Sequence, residues 1–89
     1  MTREELMEQA YQHACNMDAR SAPWIYRDGE RRLVILVQEM RQDPMLTWWV
    51  YVRDEDDRFY LHTHTRNKDE LRQALKKAVL HMNPEGRRL

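Results

Sequence analysis

Hydrophobic and polar residues alternate with a period of two in two neighbouring stretches near the middle of the chain. Residues 47–53 read TWWVYVR and residues 58–64 read RFYLHTH, and both are rich in aromatic and β-branched side chains. This alternation is typical of β-strands, in which successive side chains point to opposite faces. The acidic residues 54–57 between them have the length of a hairpin turn. The pattern therefore predicts an antiparallel hairpin.

The hairpin is predicted to have two different faces. If Arg53 pairs with Arg58, one face is aliphatic and suits a core, whereas the other is aromatic and polar. A large apolar ring on a face exposed to solvent needs an explanation, because such faces usually carry small or charged residues. The pairs predicted for the core face are Val52–Phe59, Val50–Leu61 and Trp48–Thr63, and those for the other face are Tyr51–Tyr60, Trp49–His62 and Thr47–His64.

Apolar residues at helical spacing predict one helix near each end of the chain. Thr2 followed by Glu5 matches a capping box, and apolar residues at helical spacing predict a first helix at about residues 3–19. Asn67 followed by Glu70 marks the start of a second helix, and apolar residues recur on one side of it from Leu71 to Met82.

Two further strands are predicted between the first helix and the hairpin. A short β-prone stretch begins at Trp24, and Asp28-Gly29 is a strong hairpin signal. The longer strand, residues 31–40, is apolar at every position from 33 to 37, so both of its faces should be at least partly covered.

The resulting fold class is α+β, in the order α-β-β-β-β-α. We expect one domain over residues 1–89, with an antiparallel meander sheet, both helices on one face, and a loose tail over residues 83–89. Because the helices cover only one face of the sheet, the other should display an apolar patch large enough to suggest a partner. The predicted partner-binding residues are Val34, Leu36, Trp49, Tyr51, Tyr60 and His62.

Composition limits the class of protein. The chain has 15 basic and 15 acidic residues, so a strongly basic nucleic-acid binder is not indicated, although residues 66–89 hold seven basic and three acidic groups. Cys15 is the only cysteine, which excludes an internal disulfide. With no signal peptide and no long apolar run, the sequence predicts a cytoplasmic protein that does not enter a membrane.

Three interpretations of the aromatic face remain open. Trp24 or a loop could fold over it, or it could bind a protein partner or a second copy of the chain. Alternatively, exposed rings flanked by Arg53 and Arg58 could stack on single-stranded nucleic acid. The acidic turn at the end of the same hairpin disfavours this last interpretation.

The basic second helix offers another route to nucleic acid. Its cations include Lys68, Arg72 and Lys76, and the α-β-β-β-α order is similar to that of the double-stranded RNA-binding domain. The lysine-rich helix start of that family is absent, because Asp69 and Glu70 interrupt it. The alternative prediction is therefore RNA or single-stranded DNA binding through Arg53, Arg58, Lys68, Arg72 and Lys76.

Metal and catalytic signals are weak. His62 and His64 point the same way on a strand and could share a metal, but a zinc site needs three or four ligands. The acidic turn lacks the glycine and glutamate of a calcium-binding EF-hand loop. No phosphate loop, nucleophile elbow or HExxH helix is present. We therefore expect a non-enzymatic interaction, regulatory or accessory protein that binds a protein partner or a second copy of itself, without metal or cofactor.

Overall fold

A computed structural model describes residues 1–40 and 42–85. These residues form two helices and four strands, which follow one another along the chain as α1 (Arg3–Asn16), β1 (Trp24–Asp28), β2 (Arg31–Met40), β3 (Asp43–Arg53), β4 (Phe59–Thr65) and α2 (Lys68–Val79). The strands form one antiparallel sheet in the order β1-β2-β3-β4. The predicted α+β class, element order and meander are confirmed.

A single hydrophobic core lies between the sheet and the two helices. Leu6 of α1 and Leu71 of α2 are fully buried in it together with Leu33, Ile35 and Val50 of the sheet. Both helices therefore cover the same face of the sheet, as predicted. We call this side the helix side and the opposite side the outer face. A hydrogen bond of 3.0 Å from the Trp48 indole to the Ala14 carbonyl ties β3 to α1 within the core.

Helix α1 ends earlier than its predicted boundary at residue 19. Met17 is already extended, and a local turn follows in which the Ser21 hydroxyl accepts from the Asp18 amide while the Asp18 carboxylate accepts from the Arg20 amide. These side chains accept hydrogen bonds from backbone amides that would otherwise continue the helix, so they favour its end. No helix in the described part of the chain is long and apolar enough to cross a membrane.

Strand β3 begins at Asp43, which is earlier than the pattern indicated, and it includes Pro44. A proline cannot donate to a ladder and is tolerated where one side of the strand is unpaired. The pairing with β4 begins only at Trp48, so β2 alone borders this part of β3. Pro44 lies where the register with β2 shifts, and it has no paired residue there.

The register of the β3–β4 hairpin differs from the prediction by two residues. Val52 pairs with Leu61 rather than Phe59, and Arg53 pairs with Phe59 across an irregularity. A two-residue shift keeps side chains on their faces, so Val50 and Val52 still serve the core. The irregularity is a β-bulge at Tyr60, which has no cross-strand partner.

The bulge reverses the predicted positions of two rings. Phe59, predicted in the core, lies on the outer face and is 55% exposed. Tyr60, predicted on the outer face, lies on the helix side, where its ring stacks on His81 and lies under the Arg31 guanidinium. The prediction failed for both residues because the extra residue in the bulged strand inverts the alternation beyond it.

The segment after α2 is held against the sheet. The Tyr26 hydroxyl lies 2.8 Å from the Asn83 carbonyl and 2.7 Å from the Pro84 carbonyl, and the Asp28 carboxylate accepts from the Asn83 amide. The first residues of the predicted loose tail are thus tied to β1. Residues 86–89 lie outside the described residues.

Candidate interaction face

Neither of the two described helices, α1 and α2, covers the outer face. Its side chains follow from the strand register, since alternate residues of each strand point to the same side. Trp24, one predicted cover for this face, packs against the core on the helix side instead, with its ring 5.6 Å from that of His13. The outward side chains include Ile25, Arg27, Arg32, Val34, Leu36, Gln38, Thr47, Trp49, Tyr51, Arg53, Phe59, His62 and His64.

Aromatic rings form a cluster on β3 and β4. The Trp49 indole lies between two imidazoles, with ring centroids 5.2 Å from His62 and 4.8 Å from His64. Tyr51 contacts Phe59 edge to face at 5.2 Å, an arrangement that aromatic quadrupoles favour. The rings on this face are therefore packed mainly against one another.

This mutual packing changes which residues a partner would meet. Val34 and Tyr51 are only 5% and 8% exposed although no helix covers them, because neighbouring side chains shield them. Phe59 and Ile25, by contrast, are 55% and 43% exposed. Sequence reasoning missed both of these residues. Strand alternation could have identified Ile25. The bulge that turns Phe59 outward has no recognisable sequence signal.

Two donors on the outer face are buried without a hydrogen-bond partner among the described residues. They are the indole Nε1 of Trp49 and the Nε of Arg53. An unsatisfied buried donor costs about 1–3 kcal/mol. The outer face therefore keeps polar groups that the folded chain itself does not satisfy.

All formal charges on the outward side chains described above are positive. Arg27, Arg32 and Arg53 lie on β1, β2 and β3 in turn, and no aspartate or glutamate is among the side chains listed above. Arg53 pairs with Asp57 of the adjoining turn at 2.6 Å, and its guanidinium lies over the rings of Tyr51 and Phe59. The face therefore combines an apolar centre with a cationic end.

A groove of about 500 Å³ opens at the opposite end of the outer face, beside the start of α2. The Arg66 guanidinium reaches across it, with its Nε 3.3 Å from the Thr47 hydroxyl. The lining residues are Gln38, Met40, Thr47, Trp49, His64, Thr65, Arg66, Asn67 and Glu70.

The acidic turn at the tip of the hairpin is organised by Asp54. Its carboxylate accepts from the amides of Asp56 and Arg58 and lies 3.3 Å from the Tyr60 hydroxyl. The hydrogen bond from the Arg58 amide is the main cause of a lowered pKa for Asp54. Asp57 adopts a positive φ of 60°, which aspartate tolerates in tight turns. These contacts give the turn a structural role.

The residues predicted for nucleic-acid binding are not brought together. Arg53 lies on the outer face, whereas Arg72 lies between the helices, where it forms an ion pair with Glu8 and covers the Tyr11 ring at 4.2 Å. Lys68 and Lys76 are exposed on α2, and Arg58 belongs to the hairpin turn. The sheet separates the two halves of this set.

No group of three or more potential metal ligands occurs among the described residues. His62 and His64 instead share the Trp49 ring as a neighbour.

The fold and the outer face define a small α+β protein with one open sheet surface. Comparison with protein-family models, with curated proteins and with solved structures finds no match to this chain.

Proposed function

We propose that this chain is a non-enzymatic binding protein that recognises another protein through the outer face. The observation that carries the proposal is a sheet face without a helix on it, apolar at its centre and cationic at one end. Exposed apolar area of this kind is typical of interaction surfaces. Aromatic residues and arginine, both present here, are enriched where proteins meet.

The packing of the rings favours a protein partner over nucleic acid. Base stacking requires free ring faces on the protein. Trp49 already contacts two imidazoles, and Tyr51 is 8% exposed. A protein partner can instead pack on the exposed Ile25 and Phe59 without displacing these contacts.

The charge of the face favours a different protein over a second copy of this chain. Stacking two outer faces would bring together the arginines of both copies, and of Arg27, Arg32 and Arg53 only Arg53 has a carboxylate partner among the described side chains. Like charges brought together in an interface cost several kcal/mol. A partner that presents carboxylates avoids this cost.

Capture from a lysate of the source cells tests this function. The tagged chain is compared with an Ile25→Ser, Phe59→Ser double variant, and captured proteins are quantified by mass spectrometry. Both side chains are about half exposed and lie outside the core, so the variant should fold. We expect at least one protein to be captured by the parent chain and lost from the double variant.

Leu80→Ser is the matched control, because Leu80 is 69% exposed and lies just after α2, on the helix side. It should capture the same protein as the parent chain. Equal capture by all three chains would contradict the proposal. Loss of the protein after nuclease treatment of the lysate would show that nucleic acid bridges the two, and would favour the alternative function.

A further inference from the structure

Three arginines form one cross-strand row on the outer face. Arg27 pairs directly with Arg32, and Arg32 pairs directly with Arg53. Neighbouring strands lie about 4.8 Å apart, so the row spans roughly 10 Å across the sheet. Phe59 continues the row on β4, opposite Arg53. We call Arg27, Arg32 and Arg53 the arginine row.

The row is electrostatically unfavourable for the isolated chain. Like charges directly opposite each other on one face of a sheet destabilise the pairing. Asp57 neutralises Arg53, but no described side chain forms an ion pair with Arg27 or Arg32. The Nε of Arg53 is also buried without a hydrogen-bond partner. The fold thus holds three guanidinium groups side by side, and among the described side chains only Asp57, beside Arg53, supplies an anion to them.

We propose that the arginine row binds the carboxylates of an acidic segment of the protein partner. This inference rests on the proposed function and specifies the chemistry of the partner. A guanidinium presents parallel N–H donors that match a carboxylate in a bidentate arrangement. Three such groups side by side fit a segment with several aspartate or glutamate residues.

The next row along the strands shows what lies beside those carboxylates. Ile25 pairs with Val34, Val34 with Tyr51, and Tyr51 with His62. This row is two residues from the arginine row along each strand, about 7 Å away. Val34 and Tyr51 are shielded, so Ile25 is the exposed apolar residue of this row, and the bound segment should carry an apolar side chain beside its acidic residues to pack on it. This adjoining row favours an acidic peptide over a simple polyanion.

A titration of the whole chain with hexaglutamate tests the arginine row, with the arginine Nε–H groups followed by NMR at low salt. Hexaglutamine is the uncharged control peptide. We expect hexaglutamate to shift the resonances of Arg27, Arg32 and Arg53, added salt to reverse the shifts, and hexaglutamine to have no effect.

A pair of matched variants locates the binding site. Arg32→Gln removes the central charge of the row and should weaken hexaglutamate binding about two- to fivefold, the range expected for one exposed ion pair. Lys76→Gln removes the same charge from the exposed surface of α2 and should leave binding unchanged. Arg32→Gln should also keep or raise the melting temperature, since it relieves repulsion in the row.

Equal loss of affinity in both variants, or hexaglutamate binding that leaves the resonances of Arg27, Arg32 and Arg53 unshifted, would overturn the inference. Tighter binding of hexathymidylate than of hexaglutamate at the row would overturn it in favour of a phosphate ligand. If hexaglutamate does not bind the arginine row while the Ile25→Ser, Phe59→Ser variant still loses capture, the proposed function stands. Only the inference that the partner segment is acidic is then wrong. If that double variant captures normally, the proposed function itself fails.

Discussion

Two adjacent tryptophans show how one residue step along a strand separates the core from the outer face. Trp48 is 6% exposed and donates its indole proton to the Ala14 carbonyl. Trp49 points to the opposite face, between His62 and His64, and its Nε1 has no partner among the described residues. The same side chain therefore stabilises the fold at one position and leaves a polar group unsatisfied at the next.

Phenylalanine substitutions at these two positions should differ in their effect on the free energy of unfolding. Trp48→Phe removes a buried hydrogen bond and leaves a gap in the core, which should cost about 1–3 kcal/mol. Trp49→Phe removes a donor that makes no hydrogen bond, so it should cost less. Urea unfolding of the two variants measures the difference, and a larger loss for Trp49→Phe would contradict the assignment of faces.

Tyr26 should make the stability of the protein depend on pH in the alkaline range. Burial, followed by the charge of Asp28, raises the pKa of Tyr26 above its usual 10.0. Folding therefore favours the protonated hydroxyl, which donates toward the carbonyls of Asn83 and Pro84. The stabilisation is complete below pH 10 and is lost as the pH rises through the raised pKa.

A comparison with Tyr26→Phe isolates this contribution from that of Tyr11, whose pKa is also raised, mainly by its hydrogen bond with Cys15. The difference in urea midpoint between the parent chain and Tyr26→Phe should shrink as the pH increases above 10. A difference that is constant across this range would show that the hydroxyl does not hold the C-terminal segment.

Among the elements, the β3–β4 hairpin decides what the outer face presents. Its bulge turns Phe59 outward and places Tyr60 on the helix side, beside His81 and Arg31. The Asp54 carboxylate accepts backbone hydrogen bonds in the turn and contacts Tyr60. The turn and the bulge are therefore linked through one carboxylate.

Asp54→Ala should loosen this hairpin. The Asp56 and Arg58 amides lose their acceptor, so their hydrogen exchange should accelerate and the thermal midpoint should fall. Glu55→Ala is the control, because Glu55 is exposed and its neighbour Asp54 supplies the turn hydrogen bonds. Equal exchange rates in the two variants would show that the turn forms without the Asp54 carboxylate.

The pKa of Asp54 makes the stability of the β3–β4 hairpin depend on pH. Because folding lowers the pKa of Asp54 from 3.8, its ionised carboxylate stabilises the folded chain at pH values above 3.8. This stabilisation is lost as the pH falls through the pKa of Asp54 in the folded state. The difference in stability between the parent chain and Asp54→Ala should therefore narrow on acidification.

The sequence predicted most elements because periodicity and caps are local signals. Thr2 and Asn67 cap the two helices as expected, and β2 spans residues 31–40 as predicted. The faces of Val50, Val52, Trp49 and Tyr51 also follow from alternation alone.

The errors arose where a nonlocal pairing overrides alternation. Without the identity of the residue that pairs with Arg53, the bulge could not be placed, so Phe59 and Tyr60 were assigned to the wrong faces. The arginine row was missed for a related reason, because Arg27, Arg32 and Arg53 become neighbours only when the register of three strands is known.

At the scale of the whole molecule, the sheet has two faces with different side chains. The helix side holds the core, whereas the outer face holds the exposed rings, the unsatisfied donors and the arginine row. The cations predicted for nucleic-acid binding do not share one surface, because Arg53 lies on the outer face whereas Lys68 and Lys76 are exposed on α2.

The charge of the outer face leads us to expect a monomer in solution. Repulsion between arginine rows should oppose face-to-face pairing most strongly at low salt, where screening is weakest. Native mass spectrometry at low ionic strength should detect the single chain of 11.0 kDa. A dimer that dissociates in the Ile25→Ser, Phe59→Ser variant would instead identify a second copy as the occupant of the outer face.

Site-specific photo-cross-linking tests the central claim most directly. A photoreactive amino acid replaces Phe59 on the outer face in one chain and Leu80 on the helix side in another, and each chain is irradiated in source-cell lysate. We predict one discrete cross-linked protein from position 59, with an acidic segment at the linked site, and none from position 80. The same protein from both positions, or a cross-link from position 80 alone, would contradict the account.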